Sequence, residues 1–246
     1  MKKFCLIAAA LITALTAYGC ATVNLSGQFG NVSGSGDIIT VEYPCGDFTG
    51  LEIELAARLV YTAEESDTVK IEMYENLAEY INVTNKNGVL LINSTVGIMA
   101  TNTNKMPVIY VSAPTLESLK LGGMLETLQF DEISTDKFTL DVSGTASCSF
   151  RLDVHEVEVH LGGAGDIALS GVADKAYFIT EGVGTIEAFG LETKEAYAEV
   201  SGVGGIEVNC SEKLDAVVMG LGSVEYKGRP IVNKEIDGLG RVENVD

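Results

Sequence analysis

The 246-residue chain has no tryptophan, four prolines and two histidines. Basic residues are also scarce, with 16 Lys and Arg against 35 Asp and Glu and a formal net charge of −19. The shortages of basic residues and of histidine each argue something away. Acidity on this scale argues against nucleic acid and anionic lipid headgroups as partners, because both carry the same sign of charge. The five cysteines form no CxxC pair, and His155 and His160 lie five residues apart without a cysteine partner, so no structural zinc site is expected. No GxxxxGK[ST] phosphate loop occurs, and the recurrent Gly-x-Gly leads into another strand each time. A dinucleotide fingerprint would open a helix there. Beyond the first twenty residues no apolar run is long enough to span a bilayer.

What is present begins with an export signal. Lys2 and Lys3 precede an uncharged apolar run from Phe4 to Ala17, followed by Tyr18, Gly19 and Cys20. The run is about 14 residues, short of the roughly 20 a spanning helix needs, so residues 1–19 read as a removed signal peptide. Bacterial lipoproteins are cut just before a cysteine whose thiol takes a diacylglycerol, and Gly19-Cys20 fits that site. Ala17 departs from the leucine common at its position, and Ala17-Tyr18-Gly19 also suits the ordinary signal peptidase. Lipidation of Cys20 is the expectation, with the acyl chains holding the protein at a membrane. The expected location is the bacterial outer membrane, on either face. Removing residues 1–19 takes two of the 16 basic residues and none of the 35 acidic ones, moving the charge from −19 to −21. With Cys20 lipidated, Cys45, Cys148 and Cys210 are an odd set that implies no disulfide framework.

The rest divides into an anchored segment at 20–36, a strand-rich part at 37–118, and glycine-punctuated repeats at 119–246. In the strand-rich part, apolar residues alternate over Leu51 to Leu55, Val69 to Met73 and Ile81 to Val83, as in half-buried strands. Asn87-Gly88 marks a tight hairpin between Ile81–Asn85 and Val89–Asn93. Asn93 to Lys105 reads as an exposed loop, Met106 to Val111 as a strand that Pro107 starts or edges, and Glu75 to Tyr80 as a short helix.

Beyond Leu119 the chain repeats itself. The phrases Val142-Ser143-Gly144, Leu161-Gly162-Gly163, Thr180-Glu181-Gly182, Val200-Ser201-Gly202, Val218-Met219-Gly220 and Ile236-Asp237-Gly238 recur at steps of 18 to 20 residues. Leu121-Gly122-Gly123 suggests an earlier copy, and Val32-Ser33-Gly34 opens a similar phrase that could cap the stack or add a rung. A unit of about 19 residues with no helical pattern cannot fold alone and must stack on its copies. Residues two before and four after each first glycine share one parity and point inward. Val142, Leu161, Val200, Val218 and Ile236 are expected to form one inner ladder. Cys148, Ile167, Ile186, Ile206, Val224 and Val242 form the other. The expected fold is all-β, a right-handed parallel β-helix or related solenoid, with six rungs spanning on the order of 29 Å.

Few residues suggest chemistry. Cys148 sits where other copies carry Ile or Val and reads as a core residue. His155 and His160 lie near Asp153, Glu156 and Glu158, but no nucleophile or oxyanion site accompanies them. The sharper pattern is a column of outward acids five after the first glycine: Glu187, Glu207, Glu225 and Glu243. It is a solvated, edge-protecting face in the first instance, offset by Lys137, Lys175, Lys194 and Lys213 near another corner. A face for a basic partner or for Ca²⁺ is the functional alternative, although no aspartate-rich calcium loop is present.

Three phrases carry a family resemblance: Val200-Ser201-Gly202-Val203-Gly204-Gly205-Ile206-Glu207-Val208, the closing Gly220 to Pro230, and the Asp47-Phe48-Thr49-Gly50-Leu51 opening. Over roughly residues 37–244 the chain resembles the auto-transporter adhesin, head GIN domain family, in residues and in order of parts. The resemblance implies a β-helical envelope protein, often a lipoprotein, and supplies no catalytic residues. The chain departs from it at Thr145-Ala146-Ser147, where alanine replaces the second glycine and a different corner is expected. The reading that follows is a non-enzymatic scaffold, adhesin-like, for a glycan or protein partner, without a required cofactor. The alternatives are a structural or assembly protein of the envelope and a β-helical polysaccharide-degrading enzyme.

Overall fold

A computed structural model describes residues 30–99 and 106–246; the expected signal peptide at 1–19 and Cys20 lie outside the described residues. Residues Asn31–Asp246 form one compact unit. It is a β-solenoid of about 7 turns with ~19-residue spacing, with 73% of the described residues in strands and 3% in helix.

From Thr145 onward the turns stack in parallel and in chain order. Thr145–Leu161, Ala164–Thr180, Val183–Val200 and Val203–Val218 each run almost a whole turn. The in-register partners run Cys148, Ile167, Ile186, Ile206, Val224, Val242, and every one is buried, as the parity argument requires. Burying each such Ile or Val stabilises the stack by roughly 1.5–3 kcal/mol.

The companion ladder runs Ile92, Ile53, Leu121, Val142, Leu161, Thr180, Val200, Val218 and Ile236. It departs from expectation twice. Thr180 fills the rung between Leu161 and Val200, wholly buried, and its hydroxyl has no hydrogen-bond partner. Ile236 keeps the register but is 43% exposed, because among the described residues no strand stacks on the far side of Ile231–Ile236.

The glycines are steric necessities. A β-carbon on Gly163 would lie 1.8 Å from the carbonyl oxygen of Gly144, and one on Gly182 the same distance from that of Gly163. At the second glycine of three successive corners the backbone itself is unusual, with φ of 131° at Gly165, 144° at Gly184 and 148° at Gly204. The corner at Ala146 does not break the register: Thr145, Ala146 and Ser147 pair with Ala164, Gly165 and Asp166. Ala146 lies under Gly165 and above Leu125 of a bulged rung, without positive φ.

At the other end chain order and spatial order part. Gly50–Glu54 pairs in parallel with Val89–Ser94 on one side and Ser118–Leu121 on the other. Ala57–Thr62 lies likewise between Val108–Ser112 and Met124–Phe130. The turn at 50–62 is therefore sandwiched between two that come later in the chain. The chain leaves it through Thr68–Tyr74, a 3₁₀ helix at Glu75–Tyr80 and Ile81–Lys86, then lays down the outermost turn before crossing back.

Antiparallel strands close this end. Ile38–Pro44 pairs with Thr68–Tyr74, which also pairs with Val108–Ser112, and Ile81–Lys86 pairs with Val89–Ser94. Asn87 and Gly88 take φ of 56° and 79°, the hairpin geometry that their dipeptide demands. The Val32-Ser33-Gly34 phrase lies outside the register of the repeats: Asn31–Ser33 pairs in parallel with Gly97–Met99, so Val32 meets Ile98 rather than the ladder residue Ile92, and the chain continues into the antiparallel closure. Tyr61, Phe130, Phe138 and Phe150 fill the interior near this end through ring contacts at 4.6 to 6.1 Å. Farther along, alanines at 176, 188, 196, 198 and 216 line the interior.

Candidate functional site

Because the turns stack in register, an outward residue at a fixed offset from the corner glycine becomes a column along the rod. Glu187, Glu207, Glu225 and Glu243 are such a column, each the in-register neighbour of the next. Like charges at rung spacing repel. Burial first, then Glu187 and Glu225, hold the Glu207 carboxyl above the usual carboxylate range, against a smaller opposing pull from Lys227. Arg241 relieves the end of the column, bonding Glu225 and Glu243 at 2.8 Å each. Among the described residues no three His, Cys, Asp or Glu side chains converge closely enough to hold a metal ion.

A second column alternates in sign: Lys137, Glu156, Lys175, Glu195 and Lys213 are successive partners. Lys137 reaches both Glu156 at 2.8 Å and Glu158 at 2.6 Å. Its ammonium is the main reason the Glu156 carboxyl lies below the ordinary range. Three of the four lysines expected to offset the acids thus sit in a charge ladder of their own.

The fourth, Lys194, belongs to a different cluster. Asp136, His155, Asp174 and Lys194 each lie eight residues before the next first glycine, and the geometry brings them along one groove. His155 Nδ1 lies 2.7 Å from Asp174 Oδ2, and Lys194 Nζ donates to Asp174 Oδ1. Lys194 first and His155 second hold Asp174 below the carboxylate range. The groove encloses about 700 Å³ across successive turns, and its wall includes Asp153, Glu192 and Asn209. It is open and rich in both donors and acceptors. His160 stands apart from it, with Nε2 2.9 Å from Glu181 Oε2.

A third outward column places Glu158, Tyr177, Tyr197 and Asp215 in register. Neither this face nor the groove was anticipated from sequence, although constant offset from the glycine was a usable signal: Tyr177 and Tyr197 each lie five before one. Cys148 is confirmed as a core residue, its thiol pushed up to about 12 by burial. Cys20 falls outside the described residues.

Fold and surface together define a glycine-cornered β-solenoid whose outward columns are available for binding. The family described as "Putative auto-transporter adhesin, head GIN domain" matches residues 47–230, and the chain belongs to it. An adhesin-like binding role and an exported, envelope-associated setting follow from that membership. No curated protein matches the chain. Among solved structures, a "putative adhesin" from Bacteroides fragilis NCTC 9343 is 25% identical with a TM-score of 0.81, covering 87% of this chain and 100% of its own. A "putative adhesin" from Parabacteroides distasonis ATCC 8503 is 23% identical, with a TM-score of 0.69 and coverage of 88% and 100%. A "putative lipid binding protein" from the same strain is 20% identical, with a TM-score of 0.70 and the same coverage. These last two establish likeness of fold alone.

Proposed function

We propose that the protein is a non-enzymatic lipoprotein of the bacterial outer membrane, anchored through Cys20, whose solenoid is a binding scaffold for a glycan or protein. The observation that carries the reading is the set of register-locked outward columns flanking an open groove of about 700 Å³. A rigid rod presents such groups without the ordering cost a flexible loop would incur on binding. The nearby carboxylates, amide and hydroxyls suit a hydroxyl-bearing or peptide ligand.

Binding is tested with the mature protein against immobilised glycans and extracellular-matrix proteins, with calcium present and then chelated. Saturable binding is expected, and its loss on chelation would assign a cation to the glutamate column. Failure to bind either class would move the reading to an envelope assembly role. That second reading has an observation of its own: the last turn leaves Ile231 and Leu239 74% and 83% exposed. The anchor is tested separately, since Cys20→Ala is expected to move the protein from the membrane to the soluble fraction.

A further inference from the structure

We infer that the face around Tyr177 and Tyr197 is a subsite for a neutral glycan lying along the rod axis, a proposal that rests on the scaffold reading and gives it a place and a ligand class. The two tyrosines are in-register partners on adjacent turns and both point outward. Tyr177 is 38% exposed and so is open to a ligand from solvent. The hydroxyl of Tyr197 donates to Glu199 Oε2 at 2.6 Å, which fixes the ring's direction. Hollows of about 360 and 120 Å³ flank the pair, and both tyrosines line each of them.

The ligand class follows from charge and spacing. Asp141, Glu158, Glu195 and Asp215 line these hollows together with Lys175 and Lys213. Carboxylates are in excess, so an acidic sugar or other anion is disfavoured. A cation is disfavoured too, because an ammonium approaching Tyr177 meets Lys175, which lies between Glu156 and Glu195 in the charge ladder, and Lys213, which is tied to Asp215. A neutral polyol suits both signs, since hydroxyls donate to the carboxylates and accept from the ammoniums. The C–H face of a pyranose lies on an aromatic ring as another apolar face does. A pyranose repeats every ~5 Å along an extended chain, close to the ~4.8 Å step between turns, so successive sugars meet successive tyrosines. Glu158 and Asp215 end the aromatic pair on either side, which limits the stacked part to about two sugars.

The experiment is titration of the mature protein, and of Tyr177→Ala and Tyr177→Phe, with neutral gluco-, manno- and galacto-oligosaccharides. Oligolysine serves as the comparison probe, and thermal melting is followed in parallel. The wild type is expected to bind at least one neutral series. Tyr177→Ala is expected to weaken that binding at least tenfold with unchanged melting, while Tyr177→Phe, which keeps the ring, retains it. Equal sugar affinity in wild type and Tyr177→Ala would overturn the subsite and leave the scaffold reading standing. Binding of oligolysine but not of neutral sugars would overturn the ligand class. Absence of any glycan or protein ligand would bring down the scaffold reading as well.

Discussion

Residues 118–246 and residues 31–117 build the same solenoid by different rules. In the first, every turn after the opening one lies on the turn before it, so one offset from glycine predicts a whole column. In the second, the turn at 50–62 is laid down before both of its neighbours, and antiparallel strands close the end. Repetition makes the C-terminal part regular, and it also repeats every penalty along the rod.

The largest test strikes the interior of the regular part. Ile206→Asp places a carboxylate between Ile186 and Val224 where the wild-type side chain is 1% exposed. A loss of about 4 kcal/mol or more is expected, read as a lowered denaturation midpoint. An unchanged midpoint would mean that the ladder does not face inward.

The same residue change should then cost different amounts in the two regions. Gly184→Ala meets both a positive φ and the carbonyl oxygen of Gly165 1.8 Å from its new β-carbon. A cost of about 3 kcal/mol is expected, because backbone of two turns must move. Gly46→Ala, at φ of 59° with nothing within 4 Å, carries only the left-handed strain of about 1 kcal/mol. Equal losses in chemical denaturation would erase the distinction between stacked corner and open turn.

This contrast also explains what could be read from sequence. The inner ladder through Ile167, Ile186 and Ile206 was legible because period two and a fixed step determine both parity and register. The Asn87-Gly88 hairpin was legible because its requirement is local. The placement of Gly50–Thr62 between later turns was not, since pairing between distant segments leaves no fixed spacing. The Tyr177 face and the His155 groove were hidden for another reason. At these two offsets, unlike that of the glutamate column, the residue type varies from turn to turn, so aligning on the recurrent glycines and apolar residues passes over them.

Thr180 breaks the regularity from within and offers a gain. Its buried hydroxyl has no partner, while Leu161 and Val200 on either side are apolar. Thr180→Val keeps the branched shape and removes the unsatisfied group, so a rise of about 1 kcal/mol in unfolding free energy is expected. A fall would show that the hydroxyl is satisfied by something other than the surrounding chain.

The smallest expected effect compares two glutamates that differ in burial and in the charges their columns place beside them. Glu156, beside Lys137, is held below the ordinary carboxylate range, so its contribution is present at neutral pH and fades as pH falls through its folded-state value. Glu207, half-buried between Glu187 and Glu225, is held above that range. The native state therefore holds its proton more tightly than the unfolded chain does. A penalty appears as pH rises from the unfolded value of about 4.5 through the folded one, and persists at neutrality. Glu207→Gln should accordingly stabilise the protein at pH 7 by a few tenths of a kcal/mol, solvent screening keeping the figure small. The gain should vanish at pH 3, where Glu207 is protonated in both states. Melting curves of wild type and variant at the two pH values isolate this residue, because the shifts at Glu156, Asp174 and Asp215 are common to both proteins. A variant less stable at pH 7 would mean that the column is held together by a cation rather than strained by its own charge.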